Sequence, residues 1–110
     1  MSSQDQFAQP AIYAGAKAPE GVEIAIVPGG SGVDLTTVMD VTLRVHNGIG
    51  DDVLWDTTIL SQRWDRLVVR HTFDSDGVDT RTPGRYRLIP ELTVPDGVRR
   101  TGAFYLAIMP

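Results

Sequence analysis

The sequence predicts an all-β domain, an antiparallel sandwich of six to seven strands preceded by an extended N-terminal arm. Three observations predict it. From Val22 onward, apolar and polar residues alternate with a period of two in short runs. Clusters of Gly, Pro, Asp and Asn separate the runs roughly every 8 to 12 residues, as in sandwiches and barrels. No run has the length or the period of an ordinary helix.

We divide the chain into an extended arm, residues 1–21, and a sandwich domain, residues 22–110. The arm is rich in Gln, Ala, Ser, Gly and Pro, and its isolated apolar residues Phe7, Ile12 and Tyr13 show no clear period. Such a segment has too little apolar surface to fold alone. We therefore expect the arm to be mobile in the free protein and ordered in an assembly.

The first two predicted strands lie on either side of a glycine-rich turn. The first places Val22, Ile24 and Ile26 on one face and stops at residues 28–32. The second has the cleanest alternation in the chain, with Met39, Val41, Leu43 and Val45 on one face. The turn lacks the Gly-Lys-Ser/Thr of a phosphate-binding loop, which favours a flexible connection.

The third and fourth runs supply the aromatic part of the predicted core. Val53, Trp55, Thr57 and Ile59 form one strand, which pairs with the second as a hairpin and uses Trp55 as a core anchor. The fourth run consists of Leu67, Val69, His71 and Phe73. Because His71 shares that apolar face, we expect a hydrogen-bonded core histidine rather than a catalyst.

The last two runs complete the sandwich. Tyr86, Leu88 and Leu92 line one face of the fifth, and Pro90 indicates an edge position or a bulge. Residues 103–109 are almost all apolar, which predicts a strand in the middle of the sandwich. The number and spacing of strands favour an immunoglobulin-like sandwich over a closed barrel.

Composition excludes several classes of protein. A chain of 110 residues leaves room for one domain, and the absence of cysteine excludes disulfide scaffolds and cysteine-based metal sites. There is no signal-peptide pattern and no apolar run near 18 residues, so we expect synthesis in a cytoplasm and no membrane contact. A net charge of -4 argues against nucleic acid as a partner.

Charge is distributed unevenly and points to an assembly contact. Residues 1–60 hold two basic and eight acidic residues, and residues 61–110 hold eight basic and six acidic ones. The candidate contact residues are the arginines of a predicted basic patch and the apolar residues of the arm: Arg85, Arg87, Arg99, Arg100, Phe7, Ile12 and Tyr13. The patch would meet a carboxylate-rich surface, such as the acidic half of a neighbouring copy. The alternative is solvated arginines with local partners such as Glu91 and Asp96.

An acidic loop is a weak candidate for a metal site. Asp74, Asp76 and Asp79 lie close together with a glycine between them, but their spacing does not match the helix-flanked calcium loop. Aspartate and glycine also mark ordinary turns, and we favour that interpretation. The pattern contains no convergent catalytic set, so we expect neither an enzyme nor a cofactor.

Several segments together resemble a known family. They are residues 32–38 (Gly-Val-Asp-Leu-Thr-Thr-Val), 41–45 (Val-Thr-Leu-Arg-Val), Trp55 with residues 57–59, 82–87 (Thr-Pro-Gly-Arg-Tyr-Arg) and 94–97 (Val-Pro-Asp-Gly), followed by an apolar strand. This order resembles small immunoglobulin-like virion structural proteins of tailed bacteriophages. It is most similar to upper baseplate N-terminal domains and more loosely similar to head decoration and neck accessory proteins, over residues 22–109.

The resemblance implies a structural role in a virion and no catalytic residues. Since the chain has a single domain, the expected function is a capsid decoration (cement) protein or a related neck or tail accessory. It would be present in many copies or as a homo-oligomer and bind other virion proteins, such as the major capsid protein. A baseplate or tail attachment module is one alternative. A carbohydrate-binding module is another, for which Trp64 is the candidate exposed aromatic residue.

Overall fold

The computed structural model describes residues 12–28, 33–47 and 52–110, which form a nearly all-β sandwich of two sheets. In chain order the strands are β1 (Ile12–Tyr13), β2 (Gly21–Ile26), β3 (Asp40–His46), β4 (Asp52–Asp56), β5 (Thr58–Arg63), β6 (Arg66–Thr72), β7 (Gly84–Val94), β8 (Gly97–Arg100) and β9 (Phe104–Met109). A short 3-10 helix, Leu35–Thr37, precedes β3. The prediction of an all-β sandwich is confirmed.

The larger sheet has the order β1-β9-β7-β3-β4, with β8 also paired to β7, and the smaller sheet has the order β2-β6-β5. Every pairing is antiparallel except that of β1 with β9, which is parallel. This strand order is compatible with an immunoglobulin-like arrangement. The start of β7 is also compatible, because the hydroxyl of Tyr86 donates a 2.7 Å hydrogen bond to the carbonyl oxygen of Thr82.

The core lies between the sheets because successive side chains of a strand point to opposite faces. Its fully buried side chains alternate along the strands as predicted and include Val22, Ile24, Ile26, Val41, Leu43, Val45, Leu67, Val69, Leu88, Leu92 and Leu106. Trp55 is 3% exposed and packs against Phe73 and His71, so it is the predicted core anchor. Met39 differs from the prediction, because it precedes β3 and is exposed.

Residues 12–28, 33–47 and 52–110 contain nine strands, more than the six to seven that the sequence predicts. The run 53–59 is two strands: β4 pairs with β3 as predicted, whereas β5 pairs with β6 in the opposite sheet. Thr57 lies at the crossing, where its hydroxyl donates a 2.6 Å hydrogen bond to the carbonyl oxygen of Val41. The alternation continues through Thr57, so the pattern did not reveal the change of sheet. The short strands β1 and β8 account for the rest.

Pro90 lies within β7, a central strand, rather than at an edge. On one side β7 pairs with β3, and on the other it pairs first with β9 and then with β8. Pro90 faces the gap between those two strands, where its carbonyl oxygen accepts a hydrogen bond from the backbone N–H of Thr101. A proline lacks a backbone donor, so it is tolerated where the ladder is interrupted. Neither predicted setting, an edge position or a bulge, is present, because Pro90 pairs in regular register with Leu43 of β3.

The two ends of the described chain differ from their predictions. β9 lies between β7 and the two-residue strand β1, not in the middle of the sheet, and only one of its faces is buried. Residues 12–20 do not extend away as an arm, because Ile12 and Ala16 are buried and Ala14 donates a 2.7 Å hydrogen bond to the carbonyl oxygen of Met109. Strand β2 begins at Gly21. The remainder of the predicted arm, 1–11, lies outside the described residues.

Candidate functional site

The candidate site is the face of the larger sheet that points away from the smaller sheet, here called the outer face. Burial alternates along β7, so Tyr86 and Leu88 point inward and their neighbours point outward. Strand registry then places the following side chains on the outer face: Asp40, Thr42, Arg44, His46, Asp52, Leu54, Asp56, Arg85, Arg87, Ile89, Glu91, Tyr105 and Met109. Because the strands are already paired, this surface presents its side chains without further ordering of the backbone.

One border of the outer face combines aromatic, arginine and methionine side chains. We call Tyr13, Arg85, Tyr105 and Met109 the Tyr–Arg strip. Tyr13 is 71% exposed and pairs in register with Met109, which is 42% exposed. The guanidinium carbon of Arg85 lies 4.2 Å from the centroid of the Tyr105 ring, in a cation–π contact. Tyr, Arg and Met are enriched at the centres of protein interfaces.

Arg85 and Arg87 carry charges that the described structure does not neutralise. Both side chains are exposed, and neither forms an ion pair with a residue in the described ranges. Arg87 pairs in register with His46 on β3 and with Tyr105 on β9. These two arginines lie together on one face, as the alternation predicted.

Arg99 and Arg100 do not join them in a single patch. They belong to strand β8 rather than to a turn. Arg99 forms a 3.2 Å ion pair with Asp96, and Arg100 forms a 3.0 Å ion pair with Glu91. The alternative interpretation therefore applies to Arg99 and Arg100, because they pair with the local partners Asp96 and Glu91.

The apolar contact residues predicted in the arm have different environments. Ile12 is 6% exposed and belongs to the core cluster, so it is not available for an assembly contact. Tyr13, the next residue along a strand, points to the opposite face and is exposed. Phe7 lies outside the described residues.

The centre of the outer face is a network of ion pairs around Glu91. One carboxylate oxygen of Glu91 accepts hydrogen bonds from the Nε atoms of Arg44, at 2.7 Å, and Arg100, at 3.0 Å. The hydrogen bond from Arg44 is the main reason that the pKa of Glu91 is lowered, and the same contact raises the pKa of Arg44. Arg44 also contacts Asp52 at 3.3 Å. The centre of this face is therefore charged but internally neutralised.

The acidic loop uses its carboxylates to hold its own backbone. Asp74 accepts hydrogen bonds from the backbone N–H groups of Asp79, at 2.8 Å, and Asp76, at 3.0 Å. These bonds, led by that from Asp79, lower the pKa of Asp74. In return the carboxylate of Asp79 accepts the backbone N–H of Asp74 at 3.1 Å. In the described ranges no group of three or more His, Cys, Asp or Glu side chains is placed to hold a metal ion.

His71 lies in the core beside an open cleft of about 540 Å³, which Trp55, Asp56 and Asp79 help to line. Its ring stacks on Trp55 with centroids 4.5 Å apart. Its Nδ1 lies 2.7 Å from the carbonyl oxygen of Asp56, and its Nε2 lies 2.8 Å from the carboxylate of Asp79. Both ring nitrogens are thus engaged in structural contacts, as expected of a core histidine, and neither is left free as a base.

Two residues of the outer face, Tyr105 and Leu54, are not among the contact residues that the sequence pattern predicts. Tyr105 lies in the apolar run 103–109, in which no polar residue marks an outward face. Its alternation with Phe104 and Leu106 nevertheless predicts that it points outward. Leu54 is 57% exposed on β4 and points outward, whereas its neighbour Trp55 is buried. The position of Tyr13 beside Met109 depends on the parallel pairing of β1 with β9, which no local sequence pattern indicates.

No family model, no curated protein and no solved structure matches this chain. None of the helices in the described part of the chain is long and apolar enough to cross a membrane.

Proposed function

We propose that this protein is a non-enzymatic structural component of a tailed-bacteriophage particle, present in many copies in the virion. Its most specific form is a capsid decoration protein or a related neck or tail accessory. The resemblance of residues 22–109 to small virion proteins supports this proposal. The observation that carries it is the Tyr–Arg strip, in which Tyr13, Arg85 and Met109 are exposed and Tyr105 is half-buried, all of them side chains of types that are enriched at protein interfaces.

The strip fits a protein partner for physical reasons. Tyrosine and arginine dominate binding energies at interfaces because each combines a large contact area with a polar end. Arg85 is held in place by Tyr105 and has no described carboxylate partner, so an acidic group on another virion protein can pair with it. The sheet is already ordered, which reduces the entropy lost on binding.

Purified particles of the phage whose genome carries this gene test the proposal. Mass spectrometry should detect the protein in the particles, and cryo-electron microscopy should show density for the sandwich. A lattice of copies on the head supports a decoration protein, whereas a ring at the neck or tail supports an accessory. Absence of the protein from complete particles would refute the proposal.

Substitutions in the strip test the surface itself. We expect Tyr13→Ala combined with Arg85→Glu to lower the occupancy of the particle, because two anchors are lost. The matched control is Arg66→Glu, an exposed arginine at the start of β6 in the smaller sheet. Full occupancy by the strip variant would exclude this surface as the contact.

Trp64 favours a second candidate function, carbohydrate binding. Its ring is 72% exposed in the turn between β5 and β6, and an exposed aromatic ring can stack on a sugar. A glycan array probed with the protein and with Trp64→Ala tests this function. Binding that is lost in the variant would support it, and no binding by either protein would remove it.

A further inference from the structure

We propose that the part of the outer face formed by β7, β3 and β4 pairs with the same surface of a second copy, about a two-fold axis that runs parallel to the strands above β3. The inference rests on the proposed function, because it supplies a contact between copies in the proposed multi-copy assembly. The geometry of that contact is derived from strand register and charge.

Three rows of side chains cross this surface. In the first row, Arg87 and Asp52 lie on either side of His46, since both pair with it in register. In the second row, Ile89 and Leu54 lie on either side of Arg44. In the third row, Glu91 and Asp56 lie on either side of Thr42. The two outer members of each row are two strand spacings apart, about 10 Å.

A two-fold axis above β3 exchanges the β7 and β4 positions and keeps each row at its own level. Arg87 of each copy then faces Asp52 of the other, which forms two symmetric ion pairs. In the second row, Ile89 of one copy faces the exposed Leu54 of the other, so two apolar side chains contact each other. The β3 side chains lie on the axis, so Arg44 faces Arg44 of the other copy, where each is already paired with Glu91 and Asp52. An axis perpendicular to the strands through the second row would instead bring Asp52 of one copy against Asp56 of the other, and two carboxylates repel.

The third row is also compatible with pairing. Asp56 of one copy faces Glu91 of the other, but Glu91 is already neutralised by Arg44 and Arg100. The side chain of Arg100 is 65% exposed and can contact the incoming carboxylate of Asp56. The row therefore adds no uncompensated repulsion.

The twist of sheets leaves this geometry intact. Sheets that pack with aligned strands cross at about 30°, because each is twisted. The first row lies two residues from the central row, about 7 Å, so the rotation displaces it by roughly 3.5 Å. An arginine side chain is long enough to span that displacement.

The charge distribution of this surface fits a second copy of the chain as its partner. Arg87 has no described ion-pair partner, and the side chain of Asp52 is 43% exposed although it also contacts Arg44. Opposite charges thus lie on opposite borders of one surface, which makes it complementary to itself. A uniformly acidic partner would satisfy Arg87 and repel Asp52.

The expected dimer is weak. Three strands and five residues per strand give a footprint of about 14 by 17 Å, roughly 240 Å², well below the ~800 Å² per partner of a standard interface. A contact of this size acts when copies are held close together on a particle, where the effective concentration is high. Tyr13 and Met109 lie beyond the footprint, on the β1 and β9 side, and stay free for another partner.

Charge reversal tests the pairing in the free protein by sedimentation velocity up to millimolar concentration. We expect the wild type to dimerise weakly, and Arg87→Asp and Asp52→Arg each to weaken self-association at least about tenfold, since each creates two repulsive pairs. In an equimolar mixture of the two variants, both ion pairs re-form between unlike copies, and dimerisation returns. Arg66→Asp is the control of equal charge change.

The mixture makes the test specific to this geometry. A general effect of net charge would make the control behave like Arg87→Asp, and misfolding would prevent rescue by mixing. A wild type that stays monomeric, or variants that do not rescue each other, would overturn the inference. The proposed virion function would survive that result, because it is judged by the presence of the protein in particles.

Discussion

Replacing Tyr86 with phenylalanine isolates one hydrogen bond at the start of β7. The Tyr86 side chain is 2% exposed, and its hydroxyl donates to the carbonyl oxygen of Thr82 over 2.7 Å. Phenylalanine keeps the ring and its packing, so no cavity forms. The substitution therefore removes the donor and leaves the Thr82 carbonyl without it.

The magnitude follows from the environment of that carbonyl. A hydrogen bond of this kind contributes about 1 kcal/mol net, and a fully buried unpaired acceptor adds a penalty of about 1–3 kcal/mol. Thr82 is partly exposed, so water can replace part of the lost bond. We expect Tyr86→Phe to lower the free energy of unfolding by about 1–1.5 kcal/mol, equivalent to roughly 4–6 °C in Tm for a domain of this size.

The stability difference between the wild type and Tyr86→Phe should also depend on pH above neutrality. Burial raises the pKa of Tyr86 above its usual value of 10.0. A raised folded-state pKa means that the phenol contributes its full stability below the unfolded pKa and loses it as pH rises through the folded one. The difference between wild type and Tyr86→Phe should stay constant from pH 6 to about 9 and shrink above about 10.

Urea unfolding followed by tryptophan fluorescence measures both effects. The matched control is Tyr13→Phe, because Tyr13 is 71% exposed and no hydrogen bond of its hydroxyl is found among the described residues. A loss below about 0.3 kcal/mol in Tyr86→Phe would refute the reasoning, since it lies below the range for a buried hydrogen bond. An equal loss in Tyr13→Phe would also refute it, because the loss would then not depend on the buried hydrogen bond.

Three further substitutions test the fold. Glu91→Gln removes the charge that two arginines share, and we expect urea unfolding to show a loss of about 1 kcal/mol at pH 7, beyond that of the exposed control Glu20→Gln. Because the pKa of Glu91 is lowered in the folded state, this difference should disappear as pH falls through the folded value. Gly77→Ala should destabilise by about 2 kcal/mol in thermal unfolding, since Gly77 has φ +74° and an added Cβ would lie 2.8 Å from the Gly15 carbonyl oxygen. Trp55→Ala should lose about 3–5 kcal/mol and the near-UV circular dichroism signal of the core.

Much of the fold was readable from period-two alternation alone. The alternation placed Val22, Ile24 and Ile26 on one buried face and assigned Tyr86 and Leu88 to the core. Alternation reports which face of a strand is buried, but it does not report which strand lies alongside. The run 53–59 therefore read as one strand, although it changes sheet at Thr57.

The candidate site was predictable only in part. Arg85 and Arg87 were placed on an outward face because they alternate with Tyr86 and Leu88. Arg99 and Arg100 differ from these two because they form ion pairs with Asp96 and Glu91, and alternation does not report side-chain pairing. The burial of Ile12 depends on β1 pairing with the far end of the chain, a contact between residues nearly a hundred positions apart.

The class of structure, the inward residues of most strands and the uneven division of charge follow from the amino-acid sequence, because each depends on local periodicity or composition. Which of the described charges lack an ion-pair partner, and which side chains share a surface, depends on how distant strands pair. Strand order sets those relations: it places β4 two strands away from β7, with β3 between them, and so brings Asp52 and Arg87 to one level of one face. An uneven charge in the sequence becomes a possible binding surface only through that order.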